Sequence, residues 1–264
     1  VYALYDQFKN KSIPDFAKKT ILLILFAGIG VACNTTVMWT NYEYAKETMR
    51  GGQSELTKSA NEKREKTTGL DMEYAFRWSY GIAESFNMLI PNYMGGGNNQ
   101  ELKTADSELG QKFSQDEYVT LPTYWGDQPF TTGPTYLGII AFLFFVFYLF
   151  VEKSSFKWLL VAVGVLFMML AWGRHFLVLN EFLFNHLPVY NKFRTPSMSL
   201  AITTYILFLG VSIFLSNLFS GAYDKEYLMA CGKKAVYTVA GVLVLAWMVS
   251  MSSLDFKGAG DAAI

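Results

Sequence analysis

Arg174, Lys192 and Arg194 lie at the two ends of the stretch 173–196, GRHFLVLNEFLFNHLPVYNKFRTP. A guanidinium can hold a phosphate with paired hydrogen bonds, and an ammonium adds a point charge. Cations framing a partly apolar segment would suit a lipid-linked phosphate, with its tail against a helix bundle. The same residues could instead snorkel toward lipid headgroups. A carboxylate lies upstream, in Tyr124-Trp125-Gly126-Asp127-Gln128-Pro129-Phe130. Asp127 could act as a base or orient a sugar hydroxyl, or it could simply close a Gly-Asp turn.

Other patterns are weaker. His175 and His186 flank Glu181, but their spacing matches no zinc site and they read as interface histidines. The pairs Asp71/Glu73 and Asp106/Glu108 could help a phosphate substrate bind a divalent cation, or could be solvated surface. No cofactor is demanded, and no protein metal centre is expected. Gly95-Gly96-Gly97-Asn98-Asn99 lacks the strand, the Lys-Ser/Thr and the helix of a phosphate loop, so it reads as a turn.

The elements that would position these residues are membrane helices. Hydrophobic residues make up 52% of the 264 and charged residues only 17%, below the quarter usual in soluble domains. Charges crowd into 42–120, while later stretches of about 17–20 residues carry none, matching the hydrocarbon thickness of a bilayer. Zero net charge gives no reason to expect nucleic acid as a partner. Cys33 and Cys231 lie outside the long loop, so no disulfide is expected.

Five apolar runs predict spans at 20–39, 136–151, 156–172, 197–219 and 235–251. Basic residues in the short connections place Lys18, Lys19, Lys153, Lys157, Lys225, Lys233 and Lys234 on the cytoplasmic side. Residues 1–19 are then a cytoplasmic segment. An extracytoplasmic region at 40–134 and the 173–196 connection meet over one face of a four-helix region at 135–251, and 252–264 is an external tail. Within the large loop, 41–50 reads as a continuation of the first helix. Residues 70–90 read as one amphipathic helix, capped by Asp71, carrying Trp78 and ending before Pro91. Start at Val1 and an end soon after a helix suggest an internal piece of a longer protein.

At these same stretches the chain resembles the YfhO family of bacterial membrane proteins, in its Bacteroidetes form. The resemblance rests on Tyr42-Glu43-Tyr44-Ala45-Lys46-Glu47 with Arg50-Gly51-Gly52, and on Trp78-Ser79-Tyr80-Gly81-Ile82 with Glu84. It continues in Leu89-Ile90-Pro91-Asn92-Tyr93 with Gly95-Gly96, and in the 124–130 segment with Gly133-Pro134. Trp172-Gly173-Arg174 and Pro188-Val189-Tyr190-Asn191-Lys192-Phe193-Arg194 complete it.

That family is similar to GT-C glycosyltransferases, which take a sugar from a polyprenyl-phosphate donor at the outer membrane face. The resemblance implies an all-α, GT-C-like multi-pass bundle of about five spans in the bacterial cytoplasmic membrane. Its partners would be membrane lipids, a polyprenyl-phosphate-linked sugar and a cell-envelope polymer or lipid acceptor. Arg174, Lys192 and Arg194 are the donor-phosphate candidates; Trp125, Asp127, Gln128 and Trp78 would line the sugar or acceptor side. Asp127 and Glu84 are weak candidates for the base, which the resemblance places upstream of Val1, leaving this piece inactive alone. An envelope-lipid transporter or flippase and a non-catalytic membrane scaffold are the rival readings. Transport is disfavoured by spans with almost no ionisable or helix-breaking residues.

Overall fold

The computed structural model describes residues 13–46, 48, 50, 69–106, 111–112 and 116–254. The chain divides into two compact units, one comprising Val1–Tyr74 with Leu187–Phe193, the other Ala75–His186 with Arg194–Ile264.

In the first unit, α1 (Ile13–Cys33) and α2 (Thr35–Lys46) are separated by a turn at Asn34. The Asn34 side-chain amide donates to the Gly30 carbonyl at 3.0 Å, a local bond that competes with the helical ladder. The helix starts seven residues before the expected span, because Asp15 suits its first turn and Lys18 and Lys19 are good helix formers. Further along is a short helix α3 (Met72–Ala75), with Asp71 accepting from the Tyr74 N–H at 3.0 Å, the expected cap. Leu70 N–H donates to the Asn191 carbonyl at 2.9 Å, within the same unit.

The second unit holds α4 (Ile139–Val151), α5 (Phe156–Ala171), α6 (Leu177–His186), α7 (Leu200–Phe219) and α8 (Lys225–Ser253). Helix α4 packs on both α7 and α8, and α5 packs on α7. In lipid such packing relies on close fit more than on the hydrophobic effect. Gly210 supplies it: a Cβ there would come 2.7 Å from the Phe145 ring. Tyr148, Val151, Leu160, Phe214 and Cys231 form the main buried cluster.

The tight turn between α4 and α5 works because Lys157 donates to the carbonyls of Leu149 (2.7 Å) and Glu152 (2.6 Å). Those are orphan acceptors at a helix end. Asp224 caps α8 by accepting from the Glu226 and Tyr227 N–H groups, so that helix begins ten residues before the expected fifth span.

The protein is mostly helical, and the membrane reading holds in its coarse form. Among the described residues, three helices are long and apolar enough to cross a membrane: Pro14–Cys33, Pro196–Phe219 and Lys225–Ser252. A fourth crossing results if Phe156–Ala171 and Gly173–His186, bent by 116°, count as one broken span. The run expected at 136–151 forms only the 13-residue α4. Its start is delayed because Gly138 has φ +101° and the Leu137 and Gly138 N–H groups donate to the Met88 carbonyl.

Two further expectations are corrected. Strands β1 (Gln100–Lys103) and β2 (Tyr118–Leu121) pair antiparallel, so the chain is not purely α. Nor is 70–90 one helix. After α3 it turns, and only Ala83–Met88 returns as a 3-10 segment. The interruption at 76–82 has a tertiary cause, since Tyr80 N–H donates to the Ala171 carbonyl at 2.8 Å rather than up its own helix.

Candidate functional site

The second unit brings three sequence-distant segments to the Trp172 end of α5. Segment 75–80 is laced to it by backbone. Tyr80 N–H reaches Ala171, Thr195 N–H donates to the Ala75 carbonyl at 3.2 Å, and Ser197 N–H to the Trp78 carbonyl at 3.3 Å. Ser79 completes the seam with its hydroxyl, donating to the Phe76 carbonyl at 2.6 Å and accepting from Arg174 N–H at 2.9 Å. Gly173 is required there twice over, by its φ of +44° and because a Cβ would collide with the Ser79 hydroxyl.

Glu84 cross-links residues 81–84 to the 124–128 segment. Its carboxyl is 1% exposed, accepting from Gly81 N–H (2.9 Å), Tyr124 hydroxyl (2.7 Å) and the Gln128 amide (3.1 Å). Tyr124 accepts in turn from the Gln128 N–H at 3.0 Å. Burial raises the Glu84 pKa above the usual carboxylate range and outweighs the lowering by those hydrogen bonds; the nearby Asp127 charge also raises it. The same burial pushes the Tyr124 and Tyr80 hydroxyls far up, so both stay protonated. Gly81 and Gly126 allow the approach, since a Cβ on the first would collide with the Asp127 carboxylate and on the second with the Tyr124 hydroxyl.

Asp127 stands in front of this clamp with its side chain 51% exposed. Its carbonyl accepts from Arg174 Nη2 at 2.7 Å, and Arg174 Nε donates to His175 Nε2 at 3.4 Å. Burial lowers the His175 pKa, Arg174 lowers it further, and Asp127 only partly offsets them. The ring is therefore neutral near pH 7, and its 3.7 Å approach to Asp127 Oδ2 is not an ion pair. The result is an exposed carboxylate beside an exposed guanidinium whose backbone and head are both held. Such a pair can orient a hydroxyl through Asp127 and hold an anion through the remaining Arg174 N–H groups.

The other predicted residues distribute as follows. Arg194 lies 5.6 Å from the Trp78 ring centroid and Arg77 5.7 Å, while Phe130 packs edge-on to the same ring. Lys192 belongs to the first unit, where its ammonium bonds the Arg50 carbonyl. Gln128 serves Glu84, and the Trp125 ring lies where a Cβ on Gly95 would fall. Glu84, a weak candidate for the base, is too buried to touch a substrate. His186 Nδ1 donates to the Phe182 carbonyl at 2.9 Å within α6, and its ring stacks on Phe182. Among the described residues no cluster of His, Cys, Asp and Glu could hold a metal; Glu108 lies outside them. The Gly95–Gly97 turn is bridged to Tyr124 and has neither a preceding strand nor a following helix.

Sequence reasoning missed Ser79, Tyr124 and His175 as parts of one arrangement. The available signal was the set Gly81, Gly126 and Gly173, each beside a polar residue of another segment.

Compared with family models, curated proteins and solved structures, the chain finds no match in any of the three.

Proposed function

We propose that this chain is part of a membrane glycosyltransferase that moves a sugar from a polyprenyl-phosphate donor to a cell-envelope polymer or lipid. The observation that carries the reading is the Arg174 guanidinium seated on the Asp127 carbonyl at the Trp172 end of the helices, with the exposed Asp127 side chain beside it. In this reading the bundle is GT-C-like, of the YfhO type, with about five crossings of the bacterial cytoplasmic membrane, α4 and α5 being short ones. The site faces outward. Arg174, with Arg194 on Trp78, meets the donor phosphate, whose negative charge grows as the glycosidic bond breaks. Asp127 orients the acceptor hydroxyl, while Trp78 and Trp125 offer ring faces to a sugar. No step requires a metal bound by protein side chains alone; a divalent cation would arrive with the phosphate.

The test uses the full-length protein in cells lacking the native copy. Asp127→Asn, Arg174→Ala and Arg194→Ala should each reduce sugar incorporation into envelope material by about 10²-fold or more at unchanged protein level. Normal incorporation with all three would end the reading.

A further inference from the structure

Helix α6 leaves the end of α5 at an angle that matters for a membrane. It is bent by 116° from α5, past a right angle, so it turns back toward the side from which α5 came. Even with α5 at the common tilt of about 20° that reversal remains, and α6 cannot lengthen the crossing that α5 begins. Its place along the bundle is also set. The Ser199 hydroxyl donates to the Phe167 carbonyl at 2.9 Å and the Thr203 hydroxyl to the Gly164 carbonyl at 3.1 Å, so α7 starts beside the last turns of α5. Helix α6 therefore sits where one apolar helix finishes and the next, long enough to cross a membrane, begins.

The open face of α6 carries its apolar stripe. Inward lie Phe184, edge-on to Phe76 at 5.5 Å, and the fully buried Asn180, whose amide donates to the Met169 and Phe176 carbonyls at 3.0 Å each. Outward lie Leu177, Val178 and Phe182, the last two 84% and 58% exposed. Val178 and Phe182 stand four apart and share one stripe, with Glu181 at its edge. A helix on a water-soluble domain turns its apolar stripe to the core instead. The stripe is also too small for a protein partner. Three side chains, at no more than about 250 Å² each, fall short of the about 800 Å² that each partner of a stable complex buries.

We infer that α6 is an interfacial helix, lying at the bilayer surface with Leu177, Val178 and Phe182 in the boundary between headgroups and acyl chains. Such helices bury their apolar face about 5–10 Å deep there. Trp172, at the end of α5, suits the same level, with its Nε1 donating to the Ser85 hydroxyl at 2.9 Å. The interfacial role suggested by the sequence for 70–90 belongs instead to 177–186. Arg174 and His175 join α6 through the 3-10 turn Gly173–Phe176, so a helix anchored in the interface fixes the Arg174–Asp127 contact at headgroup depth. The inference rests on α7 crossing a bilayer and is independent of the transfer reaction.

The test uses the full chain with Cys33 and Cys231 replaced by serine, in phosphatidylcholine liposomes, carrying one nitroxide-labelled cysteine at a time. Val178→Cys and Phe182→Cys probe the stripe, Phe208→Cys the middle of α7, and Thr120→Cys the exposed side of β2. Collision rates are compared for oxygen, which concentrates in hydrocarbon, and a neutral nickel chelate, which stays in water. Labels at 178 and 182 should favour oxygen several-fold relative to the label at 120, at depths of about 5–10 Å below the phosphates. The label at 208 should favour oxygen more strongly still. Leu177→Cys takes the place of either stripe variant that does not elute as folded protein. Chelate-favoured collisions at 178 and 182 would put α6 in water and overturn the assignment. Exclusion of both reagents there would overturn it too, since a second copy or another protein would then cover the stripe. Chelate-favoured collisions at 208 would overturn it at its root, by taking α7 out of the bilayer. Failure of the sugar-incorporation test would leave all these readouts unchanged.

Discussion

Glu84 holds a carboxyl out of water with three donors around it and the Asp127 charge nearby, and this has a consequence for pH. Its pKa is raised in the folded protein relative to the ordinary 4.5. The native state therefore binds the proton more tightly than the unfolded state, and Glu84 contributes stability below pH 4.5 that is lost as pH rises through its elevated pKa. His175 acts oppositely. Its pKa is lowered from 6.5, so its contribution is present above pH 6.5 and lost as pH falls through the lowered value. The two slopes oppose one another in the wild type, and Glu84→Gln separates them. Melting of wild type and Glu84→Gln in detergent from pH 4 to pH 8 should show the wild-type advantage shrinking as pH rises. A constant difference would mean that the Glu84 pKa is the same in the folded and unfolded chain.

At the scale of elements, the decisive feature is the bend after α5. Gly173 turns the chain so that Gly173–His186 leaves Phe156–Ala171 at 116°, and the same turn presents Arg174 to Ser79 and Asp127. A β-branched residue at φ +44° is strained, by roughly 1–3 kcal/mol, and its side chain would displace the Ser79 hydroxyl. Gly173→Val should therefore lower the melting temperature and also abolish sugar incorporation. Gly28→Ala, in α1 with open space around it, should do neither. If Gly173→Val melted like wild type, the seam between 75–80 and the α5 end would not be what holds the site.

For the whole molecule, the question is which side of the membrane carries the Asp127–Arg174 pair. If the proposed topology holds, the basic connections put Lys153 and Lys157 in the cytoplasm and Gly133 outside. Single cysteines at Gly133 and Ser154, in a background with Cys33 and Cys231 replaced by serine, should report this. An impermeant maleimide should label Gly133→Cys on intact cells, and Ser154→Cys only after permeabilisation. The reverse pattern would invert the topology and with it the outward-facing site.

Composition and hydropathy alone marked a mostly helical chain with apolar helices long enough to cross a membrane, because a charge-free run of that length is a local property of the chain. The sequence also marked Asp127, Arg174, Lys192 and Arg194 as the polar residues worth following, since each stands near an apolar run. Helix limits were legible only in part. Asn34, Gly138 and the Asp224 cap set them through individual hydrogen bonds and backbone angles, to which a hydropathy pattern is blind. The site itself was decided by the tertiary structure. Whether 76–82 stays helical depends on the Ala171 carbonyl offering Tyr80 a partner ninety-one residues away. The burial of Glu84 and the neutrality of His175 likewise follow from which surfaces meet. Pairing across such distances in sequence leaves no periodic trace, and glycines at the crossings were the one local sign of it.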